Sequence, residues 1–271
     1  MATTITVTMS PTEWRAFLAV TVSASASHVE IQRTADGAVT VDWVRGTEPT
    51  NVHLSSMSGA TSRTVYDSEF PLDTPVQYRA RGVNPATAFV DTWSAWSAAQ
   101  QLPSQGCQYV IHGVARPGRF WAGDFSDEPG FQQDAPRGVF YRLGIADPTV
   151  VLGQRRASTS AGLTILAKTH AERALVESVV GQDDVMCVRG AASQGWVTQY
   201  VTVGAISFAH RRPVTVGAWL IKCPWVEVAK PDSTPIVSFG TTWQQVIDTY
   251  LTWSQVMGAN ATWNALATRV L

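Results

Sequence analysis

Lysine is nearly missing from this sequence. Three lysines, Lys168, Lys222 and Lys230, stand beside seventeen arginines and twenty-one acidic residues, for a net charge of -1. No basic stripe is left for sequence-specific nucleic acid or an anionic membrane surface. The arginine bias, with much Ala, Val and Thr, suggests a GC-rich genome. Cysteine is as sparse: Cys107, Cys187 and Cys223 are odd in number, widely spaced and without a CxxC. That pattern argues against a disulfide framework and a zinc site and is expected of buried thiols. No apolar run approaches the roughly 18 residues of a membrane span. Residues 16–26, AFLAVTVSASA, have the outline of a signal peptide, but Glu13 offsets Arg15 where a basic lead-in would stand, so a strand is expected.

Catalytic motifs are missing too. His28, His53, His112, His170 and His210 are scattered, and HExxH, G-x-S-x-G, the P-loop and G-x-G-x-x-G are all missing. His170-Ala171-Glu172 opens like a deaminase H-x-E, yet no P-C-x-x-C follows. The expectation is a non-enzyme with no catalytic residue, cofactor or metal. What remains is 271 residues, 45% apolar and only 15% charged, enough for two domains with buried cores and a surface poor in charge.

The best-marked stretch runs from Gly162 to Val228: GLTILAKT, HAERALVESVVG, DVMCVRG, WVTQYVTVGAISFAH and VTVGAWLIKCPWVEV. It reads strand, helix, strand and two long strands. Thr169 as N-cap with Glu172 three residues on makes a capping box, and Gly181 stands where a left-handed C-terminal residue is wanted. Ala171, Ala174, Leu175 and Val179 form a stripe that the flanking strands should cover. Tyr200, Thr202, Gly204, Ile206 and Phe208 alternate with Val201, Val203 and Ala205 at the strand period.

This order, with AERALVESVV, Cys187-Val188-Arg189, Tyr200-Val201-Thr202-Val203-Gly204 and the Trp219 to Val228 strand, resembles the split-barrel domain of minor tail proteins. These belong to long-tailed actinobacteriophages and resemble the distal tail protein that ends the tail tube. The resemblance implies a structural role: barrels forming a ring around the tail channel, with a second domain facing outward. The best-known distal tail proteins carry the ring-forming barrel N-terminally, whereas here it is central.

Before Leu102, seven short runs alternate with turn signals: TITVTM, WRAFLAVTVSA, HVEIQRT, AVTVDWV, TSRTVYD, PVQYRARGV and AFVDTWSAWS. That spacing predicts an immunoglobulin-like sandwich. Gln77-Tyr78-Arg79-Ala80-Arg81, then Val83-Asn84 and a terminal Trp-Ser, resemble the last two strands of fibronectin type III domains, which implies a core role for Tyr78. Trp93-Ser94-Ala95-Trp96-Ser97 is similar to the W-S-x-W-S of cytokine-receptor domains. That likeness implies a cation–π stack of Trp93 and Trp96 with Arg79 and Arg81. The loops Arg45–Pro49 and Ser55–Gly59 fall at ends of such a sandwich, where partners often bind.

From Pro103 the composition changes to Pro, Gly and large aromatics: Phe120, Trp121, Phe125 and Phe131. Asp124, Asp127, Glu128 and Asp134 make it acidic, without the opposed setting of a catalytic pair or the alternating oxygens of a calcium loop. A protein-contacting arm is expected. The chain ends in three decads, TWQQVIDTYL, TWSQVMGANA and TWNALATRVL, with Trp243, Trp253 and Trp263 each followed at i+3 by Val246, Val256 or Leu266. Thr242 with Gln245 and Thr252 with Gln255 make capping boxes. Three short helices with turns near Tyr250 and Gly258 are predicted, each needing a surface on this chain or a neighbour. T-W-x-x-[VL] repeats of this kind also resemble the C-termini of the same phage tail proteins.

The expected protein is mainly β: a fibronectin III-like sandwich (1–102), a joint (103–136), a split β-barrel with one helix (137–229), a linker (230–240) and a helical tail (241–271). Its expected role is a virion structural protein, assembled in the bacterial cytoplasm as a homo-oligomer, a six-fold ring, that contacts the tail tube and tip hub. The alternative is an adhesin stacking host-surface glycan on Trp43, Trp93, Trp96 or Trp121.

Overall fold

The computed structural model describes residues 2–35, 37, 39–48, 51–57, 61–104, 109–127, 137–140, 149–152, 160–181, 183–192, 197–210, 218–231, 236 and 252–259. The fold is mainly β, with two helices among these residues.

The first hundred residues form two facing sheets. One joins β1 (Thr4–Ser10), β2 (Arg15–Thr21) and β6 (Ser62–Asp67) in the order β1-β2-β6. The other holds β3 (His28–Thr34), β4 (Asp42–Trp43), β5 (Leu54–Ser56), β7 (Gln77–Asn84) and β8 (Phe89–Val90), with β3 and β7 at its centre. Residues 16–26 do begin as strand β2, not as a helix. Alternation does the sorting: Ala16, Leu18 and Val20 point inward from β2 and meet Val29, Ile31, Tyr78 and Ala80 from the opposite sheet, all buried. Tyr78 sits in this core, its hydroxyl donating to Asp67 Oδ2 at 3.1 Å.

The second sheet runs β10-β9-β15-β16-β18-β14-β11, with β17 also on β18, and is curled. Its strands are β9 (Tyr109–Gly113), β10 (Phe120–Gly123), β11 (Phe125–Asp127), β14 (Ser160–Ala167), β15 (Met186–Gly190), β16 (Gln199–Val203), β17 (Ser207–His210) and β18 (Trp219–Val228). A separate hairpin pairs β12 (Arg137–Phe140) with β13 (Thr149–Leu152). The expected joint therefore supplies three strands to this sheet. Phe120 and Trp121 explain why: these aromatics fill opposite faces of β10, Trp121 in the helix-side core and Phe120 against the sandwich core.

Helix α1 (His170–Val180) lies on one face of the sheet, over a core of Ile111, Leu163, Ile165, Met186, Ile221 and Trp225. Thr169 is its N-cap, and its Oγ1 accepts from Glu172 N at 3.1 Å. Glu172 reaches back to Lys168 N at 2.7 Å rather than to the cap residue's own amide, a capping box displaced by one residue. Two expectations about this helix are corrected. Gly181 is not left-handed (φ -89°, ψ 1°), because its N–H continues the right-handed turn onto Glu177 O. The buried stripe is Val176, Val179 and Val180, while Ala171, Ala174 and Leu175 face outward. Both sets obey the helical period, and the sheet takes the one richer in branched apolar volume.

The middle decad of the C-terminal repeat forms α2 (Trp253–Ala259). Its capping box is reciprocal, Thr252 N donating to Gln255 Oε1 at 3.2 Å and Gln255 N to Thr252 Oγ1 at 3.4 Å. The outer decads, with Trp243, Val246, Trp263 and Leu266, lie outside the described residues.

The helix register is open to a direct check. Val176→Ala should cost roughly 2 kcal/mol from two lost methyl groups and the cavity they leave. Leu175→Ala should stay within about 0.5 kcal/mol, as exposed positions do. Urea unfolding followed by circular dichroism reads both.

Candidate functional site

Six residues from Asp67, the last of β6, to Leu72 pack between the two β-units. Although the strand ends at Asp67, the segment is buried at Asp67, Ser68, Glu69, Phe70 and Leu72, and half-buried at Pro71. Its apolar members extend the sandwich core toward β9: Phe70, Leu72, Leu102 and Val110 belong to one cluster. Leu72 makes an isolated parallel bridge to Ala191, just beyond β15. Buried backbone and carboxyl groups on such a strap need partners, and arginines supply them.

Glu69 is the centre. Its Oε1 accepts from Arg45 Nε at 2.5 Å, and its Oε2 from the Tyr200 hydroxyl at 2.6 Å, with Lys230 Nζ at 4.0 Å. Tyr200 stands on β16, so one sandwich carboxylate is held from the second sheet. Lys230 also reaches Asp42 Oδ1 at 2.7 Å, and Arg45 Nη1 donates to Pro231 O at 2.6 Å. The chain that leaves β18 is thus tied back to the sandwich. Arg33 bridges Asp42 (2.5 Å) and the buried Asp67 (2.6 Å). Burial alone would push the Glu69 carboxyl up, yet Arg45, Lys230 and the Tyr200 hydroxyl hold it below the usual range. Burial drives the Tyr200 and Tyr78 hydroxyls and the Cys187 thiol upward, away from ionisation.

Arg189 and His112 cross the same boundary from adjacent strands. Arg189 is 1% exposed and donates to Trp14 O at 2.5 Å, with its guanidinium 5.2 Å from the Phe70 ring centre. Trp14 has φ 52°, a left-handed conformation costing on the order of 1 kcal/mol for a bulky residue, which its buried indole and this bond hold in place. Burial lowers the Arg189 pKa, and Cys187, Asp67 and Tyr78 offset it only in part. His112 faces carbonyls with both nitrogens, Nε2 to Ser68 O at 2.8 Å and Nδ1 to Gly113 O at 3.0 Å. Two carbonyls would suit the imidazolium, but burial and the Arg189 charge prevail and lower its pKa to about 4, so it is neutral near pH 7.

A cleft of about 400 Å³ opens beside this network, between Arg33, Asp42, Glu69, Thr74, Thr198 and Tyr200. Of its charged groups, Arg33 pairs with Asp42, and Glu69 is held by Arg45 and Lys230, so each carboxylate already has a cation beside it. Among the described residues no three His, Cys, Asp or Glu side chains converge as a metal site would require. No described helix is long and apolar enough to cross a membrane.

The other singled-out residues lie elsewhere. The Trp/Arg stack forms on the outer side of β7: Arg79 lies 4.8 Å from the Trp93 ring centre and 4.5 Å from that of Trp96, and Arg81 lies 4.5 Å from Trp93. Ser94 and Ser97 hydroxyls accept from Ala80 N and Tyr78 N, which finishes the edge of β7. Trp93 also packs on Trp43, at 5.9 Å between centres. Of the aromatics expected on a protein-contacting arm, Trp121 is 3% exposed and bonds Glu172 at 3.4 Å, and Phe120 is half-buried. That expectation is corrected for these two. Phe125 lies on β11, opposite Ile165, and Phe131 lies outside the described residues. On α2, Val256 is buried and Trp253 is 58% exposed. The strap was invisible to motif reading; its only sequence signal is two acids in an apolar, proline-containing stretch, Asp67 to Leu72, with unassigned arginines elsewhere. No protein-family model matches the chain, and no curated protein matches it significantly.

Two outcomes follow from the network. Glu69→Ala strands Arg45 in the interior and should cost about 3–5 kcal/mol in thermal or urea unfolding. Because the folded His112 pKa lies below its unfolded value of 6.5, the unfolded state takes up a proton first on acidification. Stability should therefore fall from pH 6.5 toward 4, by about 3 kcal/mol from this group. His112→Gln, which keeps one donor for Ser68 O, should flatten that slope; an unchanged slope would mean another group titrates.

Proposed function

We propose that this chain is a structural subunit of a phage tail tip, a distal-tail-like minor tail protein. In this reading the curled sheet and α1 form the wall of a six-fold ring at the end of the tail tube. The sandwich projects outward and meets other tip proteins. The protein works as part of the virion after assembly in the host cytoplasm, and its role is mechanical rather than enzymatic.

The observation that carries the reading is the order β14, α1, β15, β16, β17, β18, folded as one curled sheet with the helix clamped on it. The resemblance to the split-barrel domain rests on a strand, a helix, a strand and two long strands, the first long strand being divided here into β16 and β17. Two further features support it. The buried network ties the sandwich to the sheet, as a part that transmits force between neighbours needs. The side of β14 and β18 opposite α1 keeps Gly162, Lys222, Pro224 and Val226 exposed, a surface of low charge suited to a neighbouring subunit. The glycan alternative has less support, since Trp121 is buried and Trp93 is engaged by Arg79, Arg81 and Trp43.

Light scattering of the full chain beside a form ending at Pro235 tests this. A mass of six chains or a multiple of six is expected for the full chain, with rings in electron micrographs, and a mass below six chains on truncation. One-chain mass for both forms at high concentration would count against self-assembly into a ring.

A further inference from the structure

Strand edges are where sheets meet other chains, and folded proteins usually blunt them with shortness, charge, proline or bulges. Most edges here follow that rule. β4 and β8 have two residues, β5 and β11 three, β10 four, and β6 carries Arg63 and Asp67. β1 does not. It is a seven-residue end strand, Thr-Ile-Thr-Val-Thr-Met-Ser, with no charge, no proline and no register shift along its pairing with β2. Among the described residues it pairs with β2 alone. Thr4, Thr6 and Thr8 are exposed on the outer face, while Ile5, Val7 and Met9 lean on the sandwich core.

We propose that β1 docks against the β1 of a second copy of this chain, antiparallel about a two-fold axis, joining two three-stranded sheets into one of six. The occupant follows from what the edge demands. A strand continuing both faces must put apolar residues inward and short uncharged ones outward at period two, and β1 meets that description itself. Full overlap places Val7 opposite the partner's Val7, Ile5 opposite the partner's Met9, Thr6 opposite the partner's Thr8 and Thr4 opposite the partner's Ser10. Apolar groups then meet on the core side and hydroxyls on the outer side. A one-residue slip would set Val7 opposite a threonine and put the two cores on opposite faces of the joined sheet, which the two-fold axis does not allow, and this fixes the parity of the register. No like charges face each other across the seam.

Cysteine placement reads this directly in the full chain carrying Cys107→Ser, where Cys187 and Cys223 are buried. An equimolar mixture of Thr6→Cys and Thr8→Cys should form a disulfide-linked dimer on mild oxidation, and neither variant alone should. A mixture that stays uncross-linked overturns the proposal, and self-cross-linking of either single variant overturns the register. Charge placement gives an independent arm. Thr6→Lys with Thr8→Lys sets lysines opposite each other and should halve the mass in solution, whereas Thr6→Lys with Thr8→Glu should preserve it. Equal masses for the two double variants, both with the native circular dichroism spectrum, would also overturn it. Neither arm depends on the proposed ring, whose clasp would be the C-terminal repeat.

Discussion

The carboxylate of Glu69 is the point on which the docking of the two β-units turns. It sits on a strap from the sandwich, receives Arg45 from the same unit, and takes the Tyr200 hydroxyl from the second sheet. Around it, Arg33, Asp42, Asp67 and Lys230 close a circuit of opposite charges, and Arg189 and His112 pin strap and turn carbonyls from below. Each of these groups is costly to bury alone. Each is tolerable because the others arrive in one geometry.

Such a network does more for specificity than for net stability. Desolvating several ions consumes most of their mutual attraction, so the favourable free energy at the junction comes mainly from Phe70, Leu72, Leu102 and Val110. Apolar contacts of that kind are non-directional and would accept several docking angles. The hydrogen bonds across the boundary accept one, since a rotated sheet would take the Tyr200 hydroxyl from Glu69 and the Trp14 carbonyl from Arg189. That gives the molecule a fixed angle between its two β-units.

Local features were legible in the sequence and remote ones were not. The Thr169 cap, the Thr252/Gln255 box and the Arg79/Arg81 stack with Trp93 and Trp96 depend on residues a few positions apart or on one strand beside the next. Chemistry at those spacings leaves little choice of partner. The α1 stripe failed because two sets of residues share the helical period, and only the sheet decides between Leu175 and Val176. The 103–136 joint became β-structure because Trp121 and Phe120 find two cores on opposite faces of β10, contacts made with residues more than forty positions away. The strap escaped notice for the same reason. Asp67 and Glu69 look like solvated acids until Arg33, Arg45 and Tyr200 are brought to them.

The central claim is that this junction makes sandwich and curled sheet a single cooperative unit. Differential scanning calorimetry of the intact chain tests it most directly. The account predicts one transition whose calorimetric and van't Hoff enthalpies agree. Two resolved transitions, or a calorimetric enthalpy well above the van't Hoff value, would mean that the sandwich and the sheet melt as separate domains and that the Glu69 network does not couple them.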